Sequence, residues 1–320
     1  MYYLGIDIGG TKCAVVLGKI IANKISIISK IKMLTIKNDA ESMLSKFCTS
    51  INQILLKNKL VISKITAIGI SCGSPLDTKK GIINNPPNLP GWNNIPICDI
   101  LKSKYNIPVF LQNDANACAI AEHQFGVGRG SQNMLFLTFG TGLGAGLILN
   151  GKLYSGACNM AGELGHIRLT KTGPIGCNKS GSFEGYCSGA GIANLAKIRI
   201  AEKISKNEIP HIFKLAGYDG INAKLIAELA MKGDQFCKGI YAESGRKLGQ
   251  GLSIIIDLLN PELIVIGSIF ARAKKLILPY AMEIIEKETL LENRKACKIV
   301  PAQLGEKIGD IAAICVAAEY

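Results

Sequence analysis

The chain has 320 residues, enough for one large or two ordinary domains, and its 48% apolar, 6% aromatic composition is that of a globular protein without low-complexity tracts. Its formal net charge of +13 comes mostly from lysines spread thinly along the chain. No basic block is interleaved with aromatics, so the charge reads as solvated surface with a mild attraction for anionic substrates, and no nucleic-acid partner is expected. The 11 cysteines are irregularly spaced, and several, such as Cys13, Cys118 and Cys315, lie in apolar runs as small buried hydrophobes. No apolar run reaches the roughly 18 residues of a membrane span, and the first residues form a strand rather than a signal segment. A cytoplasmic protein with no membrane partner is therefore expected.

Residues 2–17, YYLGIDIGGTKCAVVL, read as two apolar strands joined by a Gly-Gly turn. Gly9 and Gly10 carry no side chains, so their N–H groups can approach an anion closely, while Thr11 adds a hydroxyl and Lys12 a charge. Asp7 stands just before the turn, where it could hold magnesium through water. An ordinary hairpin with a solvated lysine is the plainer alternative. A third strand is read over 25–36. A helix is read from 39 to about 57, with Asp39 as N-cap and Met43, Leu44, Phe47, Ile51, Ile54 and Leu55 at helical spacing. A buried strand over 65–71 runs into Cys72, Gly73, Ser74 and Pro75. The loop 82–96, rich in Pro, Asn and Gly, holds the only tryptophan, Trp92; it reads either as a binding loop or as a surface turn pinned by that ring.

A short strand over 109–111 leads into Gln112, Asn113 and Asp114, and a helix follows at once over 115–125. A carboxylate at the head of a helix is either an N-cap or a catalytic group. Residues 134–149, MLFLTFGTGLGAGLIL, repeat the strand–turn–strand pattern with Gly140, Thr141, Gly142 and Gly144 in the turn. Two such hairpins suggest two related domains gripping one polyphosphate. The context is not that of a dinucleotide fingerprint, because strand rather than helix follows each turn. Residues 155–191 gather Glu163, His166, Cys177, Glu184 and Cys187 among many glycines, and the Glu163–His166 spacing allows both to face one ligand. Helices are read over 188–206, 222–232, 234–259, 271–288 and 309–319, and strands over 262–267 and 298–303. The alternation defines an α/β architecture.

Taken together, GIDIGGTK (5–12), GISCGSPLD (69–77), NLPGW (88–92), NDANA (113–117), FGTGLGAG (139–146), AGELGHIRL (161–169), GSFEGYCSG (181–189) and NPELIVIG (260–267) resemble the ROK family of sugar kinases and sugar-responsive repressors, over nearly the whole chain. The resemblance implies the actin-like, ribonuclease-H-like fold, with two α/β domains around a central cleft. The first is expected over 1–117, joined by a C-terminal helix in 305–320, and the larger second over 118–304. It implies ATP-dependent phosphorylation of a hexose, glucose first, with N-acetylmannosamine or N-acetylglucosamine next. A non-catalytic sugar sensor is the alternative of another class.

By the same resemblance Asp114 is the general base. Asp7, Gly9, Gly10, Thr11, Lys12, Gly140, Thr141, Gly142, Gly144 and Gly267 serve ATP and Mg²⁺. Gly73, Asn88, Asn113, Asp114, Glu163, His166 and Glu184 serve the sugar. Discrimination among sugars would fall near Gly73, Ser74 and Glu163. Ser268 stands where the family commonly has glycine. Family repressors carry a helix-turn-helix domain ahead of the first hairpin, which here begins at Tyr2, so an enzyme is expected. Homodimers or homotetramers are usual in the family. Many members hold a structural zinc with three cysteines and the histidine of the ExGH string. Those cysteine positions are here Ile175, Cys177 and Ser182, with Cys187 outside the pattern, so His166 and Cys177 fall two ligands short and structural zinc is not expected.

Overall fold

The computed structural model describes residues 1–22 and 24–318. The chain forms two compact units: Met1–Gln132, Gly146–Ala161 and Gln303–Tyr320 make unit 1, and Asn133–Ala145 and Gly162–Ala302 make unit 2. The elements of unit 1 begin with β1 (Tyr2–Ile8), β2 (Lys12–Ile21) and β3 (Lys24–Leu34), then α1 (Ala40–Lys57) and β4 (Ile65–Cys72). The two-residue strands β5 (Leu76–Asp77) and β6 (Ile82–Ile83) follow, with α2 (Ile97–Tyr105), β7 (Val109–Asn113) and α3 (Asp114–Phe125).

Next come β8 (Met134–Phe139), β9 (Leu143–Leu149) and β10 (Lys152–Tyr154), then the small pair β11 (Ile175–Gly176) and β12 (Lys179–Ser180). Helices α4 (Phe183–Tyr186), α5 (Gly189–Ile204), α6 (His211–Ala216), α7 (Ala223–Met231) and α8 (Gln235–Leu259) lead to β13 (Leu263–Ile266). The chain closes with α9 (Ile269–Glu288), α10 (Leu291–Ala296), β14 (Lys298–Pro301) and α11 (Ile308–Ala318). The helix read over 309–319 is α11 as far as Ala318; Glu319 lies outside the described residues. None of the described helices is long and apolar enough to cross a membrane.

The first sheet has the order β3-β2-β1-β4-β7 and the second β10-β9-β8-β13-β14. In the first, β1, β4 and β7 run parallel, with Asp7 beside Ser71 and Ser71 beside Gln112. Their C-terminal ends therefore share one edge, the place where open α/β sheets present ligand-binding groups. One face of this sheet, with Leu4, Ile6 and Ile8, is covered by the apolar stripe of α1. All six residues read as that stripe are buried, and Asp39 Oδ1 caps the helix by accepting from Ser42 N at 2.9 Å. Trp92 is fully buried in the same core, and its Nε1 donates to Ile36 O at 3.1 Å. Its loop is thereby pinned by a structural anchor, and the ring is not offered to a ligand.

The other face carries small residues, and α11 lies directly on it. A Cβ on Gly69 would stand 2.2 Å from Ala313 O and 2.4 Å from Ala317 N. Both are backbone atoms of α11, so neither can swing aside. Gly69→Ala is expected to cost about 2–3 kcal/mol through overpacking, read as a clear fall in the unfolding temperature. An unchanged temperature would mean that α11 is not seated on this sheet.

Candidate functional site

In unit 1 the turn after β1 is closed by Gly9 N donating to Lys12 O at 3.2 Å. Thr35, just beyond β3, braces it: its Oγ1 donates to Gly9 O at 2.6 Å and its N donates to Thr11 O at 3.1 Å. Nothing in the sequence singles out Thr35, because the brace spans 26 residues. Thr11 and Lys12 are exposed at the turn.

Asp7 is half-buried at the end of β1, and a Cβ on Gly309 of α11 would meet its Oδ2 at 2.6 Å. Shielding from water, and then the carboxylates of Asp114 and Asp310, raise its pKa from the ordinary 3.8 to about 6, against the pull of Lys30. Asp310, buried in α11, is ion-paired with Lys30 of β3.

The corner between β7 and α3 resolves which of two adjacent residues caps the helix. Asn113 is the cap: its Oδ1 accepts from Ala115 N at 2.9 Å and Asn116 N at 3.3 Å. Its Nδ2 donates to Ser74 Oγ at 2.8 Å, which ties the corner to the loop after β4. Gln112 Oε1 accepts from Asn113 N at 2.8 Å and Asn116 Nδ2 at 3.2 Å, locking the corner from behind. Asp114 is thus the first helical residue, accepting from Ala115 N at 2.8 Å, with an open face to solvent. The surrounding protein raises its pKa, outweighing the Ala115 N–H that lowers it. Asn88 lies against both Gly10 and Gly73.

In unit 2 the second glycine turn is closed by Gly140 N donating to Gly142 O at 3.1 Å. Gly189 N, at the start of α5, donates to Gly140 O at 2.7 Å. Thr138 Oγ1 accepts from Gly144 N at 2.9 Å, and Thr141 is exposed. Glu184 of α4 reaches this turn: its Oε2 accepts from Leu143 N at 2.9 Å. Its Oε1 accepts from Cys177 N at 2.9 Å and from the Cys177 thiol at 3.1 Å. Burial and the Glu184 carboxylate push that thiol up to about 12, so it stays a protonated donor.

Glu163 and His166 are both exposed, at the start and end of a 3₁₀ turn over 164–166, where positions three apart stack in register. Gly267 follows β13, with its N donating to Leu137 O at 3.0 Å. Ser268 has φ +53°, a conformation glycine takes without strain.

The zinc positions carry other duties. Cys177 and Asn178 both have positive φ, as a two-residue type I′ hairpin between β11 and β12 requires. Ser182 Oγ donates to Gly176 O at 2.8 Å and accepts from Gly185 N at 3.1 Å. Among the described residues no group of three or more His, Cys, Asp or Glu is gathered to hold a metal. Of the three cysteine positions only Cys177 carries a thiol, and that thiol donates to Glu184 Oε1.

The sequence-read residues thus fall into two groups, each ordered within its own unit: 7–12, 73, 88, 113 and 114 in unit 1, and 140–144, 163, 166, 184 and 267 in unit 2. The chain belongs to the ROK family, whose pattern matches residues 3–319. A glucokinase from Halalkalibacterium halodurans is 31% identical over 316 residues, covering 97% of this chain and 93% of that protein. The crystal structure of a ROK family glucokinase from Streptomyces griseus, in complex with glucose and AMPPNP, superposes with a TM-score of 0.80 at 30% identity, covering both chains fully. A xylose repressor from Caldicellulosiruptor bescii is 27% identical over 95% of this chain and 75% of its own length. The fold is accordingly that of the actin-like ATPases.

The shielding of Asp7 has a consequence for stability. Its raised pKa means that the ionised form weakens the fold above pH 6, and that this penalty vanishes below pH 4, where both folded and unfolded chains are protonated. Without ligand, Asp7→Asn is expected to be more stable than wild type at pH 7.5 by about 1–2 kcal/mol, the gain shrinking as pH falls from about 6 to about 4. Chemical denaturation at both pH values checks this; equal stability at pH 7.5 would contradict it.

Proposed function

We propose that this chain is an ATP-dependent hexose kinase that phosphorylates glucose at the 6-hydroxyl. The observation that carries the reading is the corner at β7 and α3. Asn113 supplies the helix cap, so Asp114 engages only its Oδ1, with Ala115 N, and keeps Oδ2 to accept a proton. Asp114 would take the proton of the sugar hydroxyl as the γ-phosphoryl group transfers. A base raised above the ordinary carboxylate range is better matched to that task near neutral pH.

Phosphoryl transfer asks mainly for positioning and charge neutralisation. The backbones of Gly9, Gly10 and Thr11, with the Lys12 charge, suit one part of the polyphosphate. Those of Gly140, Thr141 and Gly142 suit another, and Gly267 the adenosine side. Asp7 fits a role toward Mg²⁺ through water, because a divalent cation beside it would relieve its repulsion with Asp114. Magnesium bound with the nucleotide supplies charge neutralisation of the phosphates. Asn88, Asn113, Glu163, His166 and Glu184 offer amide, carboxylate and imidazole groups to a ring of hydroxyls, and each unpaired partner would be costly. The full-length likeness to a glucokinase whose structure holds glucose and AMPPNP supports glucose as the sugar. N-acetylmannosamine and N-acetylglucosamine come next, decided by the room beside Gly73, Ser74 and Glu163.

A sugar sensor without catalysis is the second reading, favoured by the likeness to the xylose repressor. Coupled ADP-release assays over glucose, mannose, fructose, allose and the two N-acetylhexosamines separate the two. Turnover of one sugar supports the kinase, and sugar binding without turnover of any supports the sensor. Asp114→Ala is expected to lower kcat by about 10²-fold or more while sugar affinity stays within a few-fold. In wild type kcat/KM should fall on the acid side with an apparent pKa above the usual 3.8. Turnover by Asp114→Ala close to wild type would remove the base assignment. Metal analysis of purified protein should find no stoichiometric zinc; one zinc per chain would overturn the ligand argument.

A further inference from the structure

Each glycine turn contains one glycine that abuts a polar side chain assigned above to the sugar. In unit 1 a Cβ on Gly10 would stand 2.8 Å from Asn88 Cβ, 3.1 Å from Asn88 O and 3.3 Å from Asn88 Nδ2. The same amide lies beside Gly73, where a Cβ would be 3.4 Å from Nδ2 and 3.5 Å from Oδ1. In unit 2 a Cβ on Gly142 would stand 2.7 Å from Glu184 Oε2, the oxygen that accepts the Leu143 N–H.

Gly140 and Gly9 differ. A Cβ on Gly140 would meet only Ser268, at an ordinary 3.6 Å. On Gly9 the conflict, at 2.8 Å, is with Lys12 O of its own turn. At Gly10 and Gly142 a protein side chain fills the space where a Cβ would go.

We propose that Gly10 and Gly142 are positioning residues for the sugar: each seats one sugar-binding side chain, Asn88 or Glu184, against a phosphate turn. The proposal rests on the hexose-kinase reading. In unit 2 the seat is also a hydrogen-bonded link. Glu184 has about four acceptor sites and gives three of them to Leu143 N, Cys177 N and the Cys177 thiol. One remains for a sugar hydroxyl. A sugar bound there fixes the carboxylate, and the fixed carboxylate holds Leu143 and the turn before it. Sugar binding therefore orders the phosphate turn with no nucleotide present, which is a positive coupling between the two ligands.

The test is nucleotide-free calorimetric titration of wild type, Gly10→Ala, Gly142→Ala and, as a control in α8 where a Cβ meets nothing within 4 Å, Gly239→Ala, with the sugar that wild type phosphorylates. Gly10→Ala and Gly142→Ala are each expected to weaken sugar binding by about tenfold or more, the loss of one hydrogen bond to the sugar. Gly239→Ala should stay within about threefold. Circular dichroism establishes that each variant is folded. Because the two seats lie in different units, either variant reads the proposal if the other does not fold. Hydrogen exchange on wild type supplies a readout free of mutation. Adding sugar alone should slow exchange across 139–145 and 8–12. Unchanged sugar affinity in both seat variants with only the KM for ATP raised, or sugar binding with no slowing at either turn, would overturn the proposal while leaving the kinase reading intact. Wild type that binds none of the hexoses would overturn both.

Discussion

Unit 1 is arranged around two carboxylates of like charge at the ends of parallel strands. Asp7 lies near the end of β1 and Asp114 follows β7, and the Asp114 carboxylate raises the energy of ionising Asp7. Such groups weaken a fold unless something offsets them. Here the offset is partial. Lys30 lowers the cost of ionising Asp7, but its charge is already committed to Asp310, and Asp310 itself adds to the repulsion. The residual strain is relieved only by a cation or by a proton. That unbalanced charge is why the packing of α11 matters. Gly309 lets the helix backbone come down on Asp7, and Gly69 lets the same helix lie flat on β4.

The same economy of backbone recurs around the turns. The brace from Thr35, the lock from Gln112 and the cap from Asn113 are all hydrogen bonds to main-chain groups. They leave little freedom at Gly9 or at the start of α3. In unit 2, α5 and Glu184 hold the second turn from two sides. Each turn is therefore braced through its main chain by residues of its own unit.

Much of this was legible in the sequence because the signals are local. Asp39 and the apolar stripe of α1 follow directly from helical spacing, and both glycine hairpins follow from strand, turn and strand. The β7–α3 corner was only half legible. Asn and Asp are equally good caps, so adjacent residues could not be told apart until the strand was seen to run through Asn113. Trp92 likewise read as anchor or ligand surface until its burial decided for the anchor. The two-residue strands and the short helices α4, α6 and α10 have no period to detect. The Lys30–Asp310 pair spans 280 residues, and no local pattern announces it. Glu184 was visible as a polar residue among glycines, but its grip on Leu143 and Cys177 belongs to tertiary structure alone.

Trp92 ends by giving the molecule an optical property. It is the chain's single indole, buried and hydrogen-bonded to Ile36 O. Ile36 follows the residue that braces the first glycine turn, and Trp92 lies four positions beyond Asn88. One chromophore is thus wired between the segment that steadies the first glycine turn and the loop that carries Asn88. With no second tryptophan to dilute it, intrinsic fluorescence of the unlabelled protein is a single-site record of how those two segments are held together.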